Sequence, residues 1–286
     1  MPSRDIYQEL VDAADAGEEA KVSALLAQGA DPMRDSSRAL LLAAYHGHEE
    51  CVRLLLTVSD PKAEESCALR CAAGHGHGPC ANLLLPLSNP KALDSEALRA
   101  AAENGHVECV RLLLPASDPM AGNSFALRAA AGGGHEDCVR LLLPVSDAKA
   151  NESQALRGAA INGHADCVRV LLPASNAKAN NSQALMWAAE GGWVECVRLL
   201  MPESSPLVEI YGLLAVAMVA GQAKVAALLI EAEPRLLDGV NLPKCLAEAL
   251  ENSYGDLASY LSSIIDQREL VDVAPDASAC GGHARL

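Results

Sequence analysis

Ser95–Asn123 reads SEALRAAAENGHVECVRLLLPASDPMAGN, and versions of this stretch return every 29 residues along a chain of 286. Glycine and cysteine each recur at one fixed position of the repeat. The glycines are Gly47, Gly76, Gly105, Gly134, Gly163, Gly192 and Gly221, and the cysteines are Cys51, Cys80, Cys109, Cys138, Cys167 and Cys196. Self-similarity with a period of roughly 20 to 50 residues is typical of a solenoid, in which each unit buries its apolar face by stacking on its neighbours.

The composition favours a thin core built from small and aliphatic side chains. Half of the residues are apolar, but only 3% are aromatic. Leu, Ala and Val must therefore supply the packing, which suits stacked short helices better than one large globule. Apolar residues spaced three and four apart predict two helices in each unit. We therefore predict an all-α solenoid.

The net charge of −15 limits the classes of partner. The acidic excess lies towards both ends of the chain, and the central repeats are nearly neutral. An acidic protein is a poor non-specific phosphate binder, so nucleic acid and anionic membrane are disfavoured as partners. No apolar run approaches the ~20 residues of a membrane span, and the N-terminal sequence lacks the apolar core of a secretory signal. The recurring cysteines are predicted to be small buried residues of a reducing compartment. We expect a monomer in the cytoplasm.

The repeat itself predicts where helices begin and end. Each regular unit opens with Ser, which we expect to cap the first helix. Ala-Ala follows, glycine ends the first helix, and proline stops the second helix in most units. We expect one repeat domain over 4–266. Its parts are an N-terminal cap over 4–36, six regular units over 37–210, divergent units over 207–240 and 241–266, and a flexible tail over 267–286.

The run G-H-x-E-C-V-R-L-L-L, preceded by A-L-R-x-A-A, closely resembles the ankyrin repeat. The resemblance covers nearly all of 4–266. The units look like the ankyrin arrays common in bacterial genomes, some of which act inside host cells. No signal in this sequence supports such delivery. It implies about nine stacked helix pairs, with the first helix of each pair on a concave side. The period is shorter than the family's ~33 residues. The missing residues fall where ankyrins project a β-hairpin, so reduced fingers are expected.

Two sets of residues could suggest chemistry. Histidine follows the recurring glycine in five units, and the resemblance implies that this histidine hydrogen-bonds the loop between units. A denser cluster contains Cys67, Cys71, His75, His77 and Cys80, whose side chains are zinc-type ligands. His77 and Cys80 already belong to the repeat, and the spacing matches no CxxC pair. No nucleophile–base signature or phosphate loop occurs. We expect no catalytic residues, no metal and no cofactor.

The positions that vary against the constant frame lie on the first helix of each unit. The residue after Leu is arginine in four successive units, which predicts a positive ladder. The candidate partner-binding residues are Arg70, Arg99, Arg128, Arg157, Phe125, Met186, Trp187, Glu103, Asn104, Ile161, Asn162 and Glu190. Arginine and aromatic side chains are enriched at interface hot spots. Alternatively, each arginine bridges to a carboxylate or carbonyl of a neighbouring unit, and the two roles are compatible.

These observations predict a non-catalytic module that binds a protein or peptide, with a preference for acidic segments, on its concave helix surface. Two alternatives remain open. One is a structural spacer or assembly element, in which the variation on the first helices carries no function. The other is a metal- or redox-responsive protein that uses the stretch Cys67–Cys80.

Overall fold

The computed structural model describes residues 5–203 and 207–273. Residues 1–4, 204–206 and 274–286, which include most of the expected tail, lie outside the described residues. Within the described ranges the chain forms 18 α-helices, short 3-10 turns and no β-strand. The all-α prediction of nine helix pairs with reduced fingers is therefore confirmed.

The chain divides into two compact units, over 1–180 and 181–286. In the N-terminal unit the first helices of the pairs are α1 (Ile6–Ala16), α3 (Arg34–His46), α5 (Ala63–Gly74), α7 (Ala92–Glu103), α9 (Ala121–Gly133) and α11 (Ala150–Ile161). The second helices are α2 (Glu19–Ala27), α4 (Glu49–Leu55), α6 (Gly78–Leu84), α8 (Val107–Leu113), α10 (Glu136–Leu142) and α12 (Ala165–Leu171). Neighbouring first helices pack on one another more extensively than neighbouring second helices do.

The C-terminal unit begins inside α13 (Ala179–Glu190) and continues the paired pattern. Its other helices are α14 (Val194–Leu200), α15 (Leu207–Val219), α16 (Ala223–Ala232), α17 (Leu242–Glu251) and α18 (Gly255–Val273). The tail was expected from 267, but α18 runs to Val273, because no glycine or proline interrupts the chain before Pro275. The predicted tail therefore starts too early.

The constant residues of the repeat form the core. In the reference unit Leu98, Ala101 and Ala102 of α7 face Cys109, Val110 and Leu113 of α8, and each is at most 1% exposed. The equivalent positions of the neighbouring units are buried in the same way. At about 25 cal/mol per Å² of buried apolar surface, this repeated contact is the main source of stability, and it requires a neighbour on each side.

Histidine and glycine lock neighbouring units together. The Nε2–H of His135 donates to the carbonyl of Glu103, 2.9 Å away. The same ring covers Gly105, whose φ is +74° and whose missing Cβ would lie 2.4 Å from the imidazole. Glycine is thus required at this position for two reasons: the backbone is left-handed, and the imidazole ring leaves no room for a Cβ. The C-terminal unit keeps the arrangement with Gln222, which donates to the carbonyl of Glu190 at 3.0 Å and covers Gly192.

The serine that opens each unit does not cap a helix, so that prediction is wrong. Ser95 has φ +60° and is the last of three consecutive left-handed residues, after Leu93 and Asp94. Its Oγ instead accepts from the backbone N–H of Asp118, 2.8 Å away in the next loop. The matching serines, which accept at 2.8–2.9 Å from the loop 23 residues on, are Ser37, Ser66, Ser124 and Ser153. Serine therefore ties one unit to the next.

The end of the second helix is set by more than proline. Helix α8 ends at Leu113, two residues before Pro115, as the sequence predicts. However, α4 ends at the equivalent Leu55, although Thr57 stands in place of proline. The backbone N–H of Ser59 donates to the carbonyl of Leu55 at 2.8 Å, and the Thr57 hydroxyl donates to the carbonyl of Leu54. Proline reinforces a turn that the packing already requires.

Candidate functional site

The candidate residues lie on the first helices or directly after them. Met186, Trp187 and Glu190 belong to the C-terminal unit, where Met186 is 44% exposed, Trp187 is half-buried and Glu190 is exposed. The remaining candidates belong to the N-terminal unit. We call their common surface, formed by the outward sides of α5, α7, α9 and α11, the first-helix face.

Arginine side chains on this face hold the left-handed turn of their own unit. The guanidinium of Arg128 donates to the carbonyl of Gly122 at 2.8 Å, six residues back. Arg70 and Arg157 make the same contact with the first residue of their own turns, at 3.0 and 2.9 Å. This contact is part of the framework and supports the bridging role that the sequence left open. The arginines are half-buried as a result.

Glutamate and glutamine, each directly after the recurring serine of its unit, accept from an arginine of the preceding unit. Glu96 accepts from Arg70 of the preceding unit and from Arg99 of its own, the latter at 3.2 Å. The side-chain amide oxygen of Gln154 accepts from Arg128 at 2.5 Å. The sequence prediction omitted both residues, although their position after serine varies along the repeats. A carboxylate therefore offsets part of the positive ladder at its N-terminal end.

Phe125 lies between two arginines of the positive ladder. Its ring lies between two guanidinium groups, with Arg99 at 4.8 Å and Arg128 at 4.9 Å from the centroid, and the side chain is 36% exposed. Both distances are within the range of a cation–π contact. The partners of Arg128 among the described residues are neutral, namely Gln154, the Gly122 carbonyl and this ring. Burial lowers the pKa of Arg128, but the group stays charged at neutral pH.

Four of the candidate residues lie at the C-terminal ends of the first helices, beside the arginines. The amide of Asn104 donates to the Ala100 carbonyl, and that of Asn162 to the Gly132 carbonyl, both at 2.9 Å. Ile161 is 44% exposed, and Glu103 is also exposed. The structure therefore brings these candidates to one edge of the first-helix face, where the asparagines are oriented by the backbone.

An aromatic pair at the C-terminal ends of α3 and α5 is absent from the predicted binding residues. The ring of Tyr45 contacts that of His75, with centroids 4.1 Å apart, and Tyr45 is 40% exposed. His46 lies against the carboxylate of Asp15 at 3.0 Å. These residues occupy the two variable positions before the recurring glycine. The sequence variation at these positions would have been enough to identify them as candidates.

The cluster Cys67–Cys80 does not assemble as a set. Cys80 is buried in the core, and burial raises its pKa to about 11. His77 points to the carbonyl of Tyr45, 2.9 Å away, in the constant role of that histidine. Among the described residues no three His, Cys, Asp or Glu side chains are arranged to hold a metal ion. Cys67 and Cys71 come together, with their Sγ atoms 3.8 Å apart, and His75 lines the same recess beside them.

The C-terminal unit contains a separate apolar groove of about 450 Å³ between α15 and α17. Leu214, Met218 and Val219 line one side, and Cys245 and Tyr254 line the other. Val219 is 75% exposed. The strong apolar character of the α15 sequence could have indicated it, because more apolar residues are present than one buried side needs.

Stacked helix pairs, a recurring glycine–histidine contact and a 29-residue period define a helical repeat protein. The family model described as "Ankyrin repeats (3 copies)" matches residues 10–94, 69–153, 98–183 and 156–241. The chain therefore belongs to the ankyrin-repeat family. Members of this family generally mediate protein–protein interactions and are typically not enzymes. No individual curated protein matches the chain significantly. None of the helices in the described ranges combines the length and the apolar character that a membrane span requires.

Proposed function

We propose that the protein is a non-catalytic binding module that holds a protein or peptide partner on its first-helix face, with Phe125 and Arg128 at the centre. The closer packing of the first helices within the N-terminal unit supports placing this face on the concave side of that unit. A concave surface with varied side chains on a constant frame is how helical repeat proteins bind extended partners.

The observation that carries this proposal is the exposed Phe125 ring between Arg99 and Arg128. A partly exposed aromatic ring flanked by two guanidinium groups has the composition of an interface hot spot. The ring supplies apolar area, and the arginines supply donors that a partner carboxylate would accept in bidentate form. We propose that acidic segments of the partner, carrying Asp or Glu beside an apolar side chain, bind here.

Charge reversal with a matched control tests the proposal. The test variant is Arg99→Glu with Arg128→Glu, on the first-helix face. The control variant is Arg140→Glu with Arg169→Glu, on the second helices α10 and α12, where the two side chains are 58% and 54% exposed. Both variants change the net charge equally. Circular dichroism and the thermal midpoint establish that each remains folded.

Quantitative mass spectrometry after affinity purification from the native cell measures partner retention. A hot-spot loss of about 2 kcal/mol corresponds to about 30-fold in Kd. We expect the affinity for at least one partner to fall about 30-fold in the first-helix variant, while the control variant retains that partner. The proposal fails if every partner is retained by both variants, which would favour the structural spacer. It also fails if both variants lose the same partners equally.

A further inference from the structure

Two cysteines of α5 differ from the six recurring cysteines. Cys67 and Cys71 are half-buried, whereas the recurring six are at most 1% exposed. Their Sγ atoms lie 3.8 Å apart, within contact of each other. Both line an open recess of about 500 Å³ on the first-helix face, together with Arg70, His75 and Glu96. A small reagent can therefore reach this pair, while the core thiols are shielded.

The pair is also arranged to ionise at neutral pH. The hydrogen bond with the Cys71 thiol lowers the pKa of Cys67 to about 6, and the nearby Arg70 lowers it further, whereas burial and the carboxylates of Glu96 and Glu64 oppose this shift. The same hydrogen bond and burial raise the pKa of Cys71. Burial raises the pKa of the recurring Cys138 and Cys196 to about 11. Since the thiolate is the nucleophile, Cys67 offers a sulfur that is both charged at neutral pH and accessible.

We propose that Cys67 is a thiol-modification site that reacts with small disulfides, with Cys71 as its positioning residue. The Cys67 thiolate attacks one sulfur of a disulfide R–S–S–R. The bond between the two reagent sulfurs breaks, and a mixed disulfide Cys67–S–S–R forms. The other half leaves as the thiolate RS⁻. The Cys67 sulfur is oxidised and the leaving sulfur is reduced, so no further oxidant is required.

Helix geometry keeps the mixed disulfide from closing onto Cys71. Residues four apart on an α-helix have Cβ atoms about 5–6 Å apart, whereas a disulfide needs about 3.5–4.5 Å between Cβ atoms. Bond formation would therefore distort α5, whose Leu69, Ala72 and Ala73 are completely buried between its neighbours. The adduct on Cys67 is the end product. This assignment does not rest on the proposed partner surface, although the adduct would occupy part of the same face.

The reaction of the full chain with 5,5′-dithiobis(2-nitrobenzoate) tests the assignment. Cys280 lies outside the described residues, so every variant carries Cys280→Ser. The released thiolate is followed by absorbance, and peptide mapping identifies the labelled cysteine. We expect one equivalent to be released in the fast phase, with the label on Cys67. The half-buried Cys245 should react more slowly, because burial raises its pKa.

The pH dependence of the reaction rate distinguishes a cysteine with a lowered pKa from one that is only exposed. The reference is an unfolded peptide with one cysteine of pKa about 8.5. Between pH 6 and pH 8 the thiolate fraction of Cys67 about doubles, while that of the peptide rises about 80-fold. The rate of Cys67 relative to the peptide should therefore fall about 40-fold over this interval, whatever the steric hindrance.

Two substitutions of Cys71 complete the test. Cys71→Ala removes the donor, so the relative rate should become nearly independent of pH. Cys71→Ser keeps a hydroxyl donor and should retain most of the 40-fold change. A flat relative rate in the parent protein would overturn the proposal. So would fast labelling of another cysteine, or release of two equivalents with a Cys67–Cys71 disulfide as the product.

Discussion

The left-handed turn within the first residues of each regular first helix makes a quantitative prediction at Glu152. This residue has φ +57° and is the middle member of the turn Asn151–Ser153. Its side chain is exposed, and its carboxylate has no hydrogen-bonding or ionic partner among the residues that the structure describes. Substitution at this position therefore changes the backbone preference and very little else.

The expected effect of Glu152→Gly follows from two opposing contributions. A non-glycine residue in the left-handed region costs about 1–2 kcal/mol, and glycine relieves that strain. Glycine also loses more conformational freedom on folding, which costs about 0.5–1 kcal/mol. The difference predicts that Glu152→Gly raises the free energy of unfolding by about 0–1.5 kcal/mol, with a midpoint near 0.75 kcal/mol. Natural Gly122, with φ +57°, already begins the equivalent turn of the preceding unit.

Urea unfolding followed by far-UV circular dichroism measures the change. Glu152→Gln controls for the lost negative charge, because it keeps the strained backbone. Glu108→Gly, on the exposed side of α8, places glycine in ordinary helical backbone and should lower stability by about 0.5–1 kcal/mol. Opposite signs at the two positions are the expected result. If Glu152→Gly is no more stable than Glu152→Gln, the turn is not strained and the reasoning is wrong.

Contacts between units support two further predictions. Ser95→Ala removes the acceptor of the part-buried hydrogen bond from the N–H of Asp118 and should cost about 0.5–1.5 kcal/mol. Ser59→Ala, whose hydroxyl has no partner among the described residues, should change stability by less than about 0.5 kcal/mol. Equal losses in urea unfolding would refute the role given to Ser95. His135→Ala removes the donor to the Glu103 carbonyl and should cost about 0.5–1.5 kcal/mol for the lost hydrogen bond. His135→Gln should recover part of this loss, since glutamine fills the equivalent place in the C-terminal unit; no recovery would mean that ring packing matters more than the hydrogen bond.

The helix pairs and the core were predictable because each unit repeats the same local signals. Leu98, Ala101, Cys109 and Val110 lie at helical spacing, and their recurrence identifies them as core. The arginine row was also predictable as a set of positions. Its partners were not, because Glu96 and Gln154 come from the next unit and only stacking brings them within reach.

The serine and the left-handed turn show where sequence patterns mislead. Serine before an apolar helix ordinarily indicates a cap, yet Ser95 binds an N–H 23 residues away. The turn has no residue signature of its own, because Asp35, Glu64, Leu93 and Gly122 all occupy its first position. Left-handed backbone is usually adopted by glycine or asparagine. A leucine such as Leu93 at this position therefore gives no indication of the turn from sequence.

By itself, the sequence determined the family, the period, the helix pairs and the buried residues. These depend on short-range spacing that every unit repeats. Tertiary structure alone decided which polar groups from different units meet: serine with the next loop, and arginine with the neighbouring unit and with Phe125. Cys67 and Cys71 are already neighbours on α5, but only stacking places Glu96 of the next unit beside them in an open recess. Hydrogen bonds and ionisation depend on distances of a few ångströms between residues that are up to 33 positions apart. Those distances exist only after the units stack.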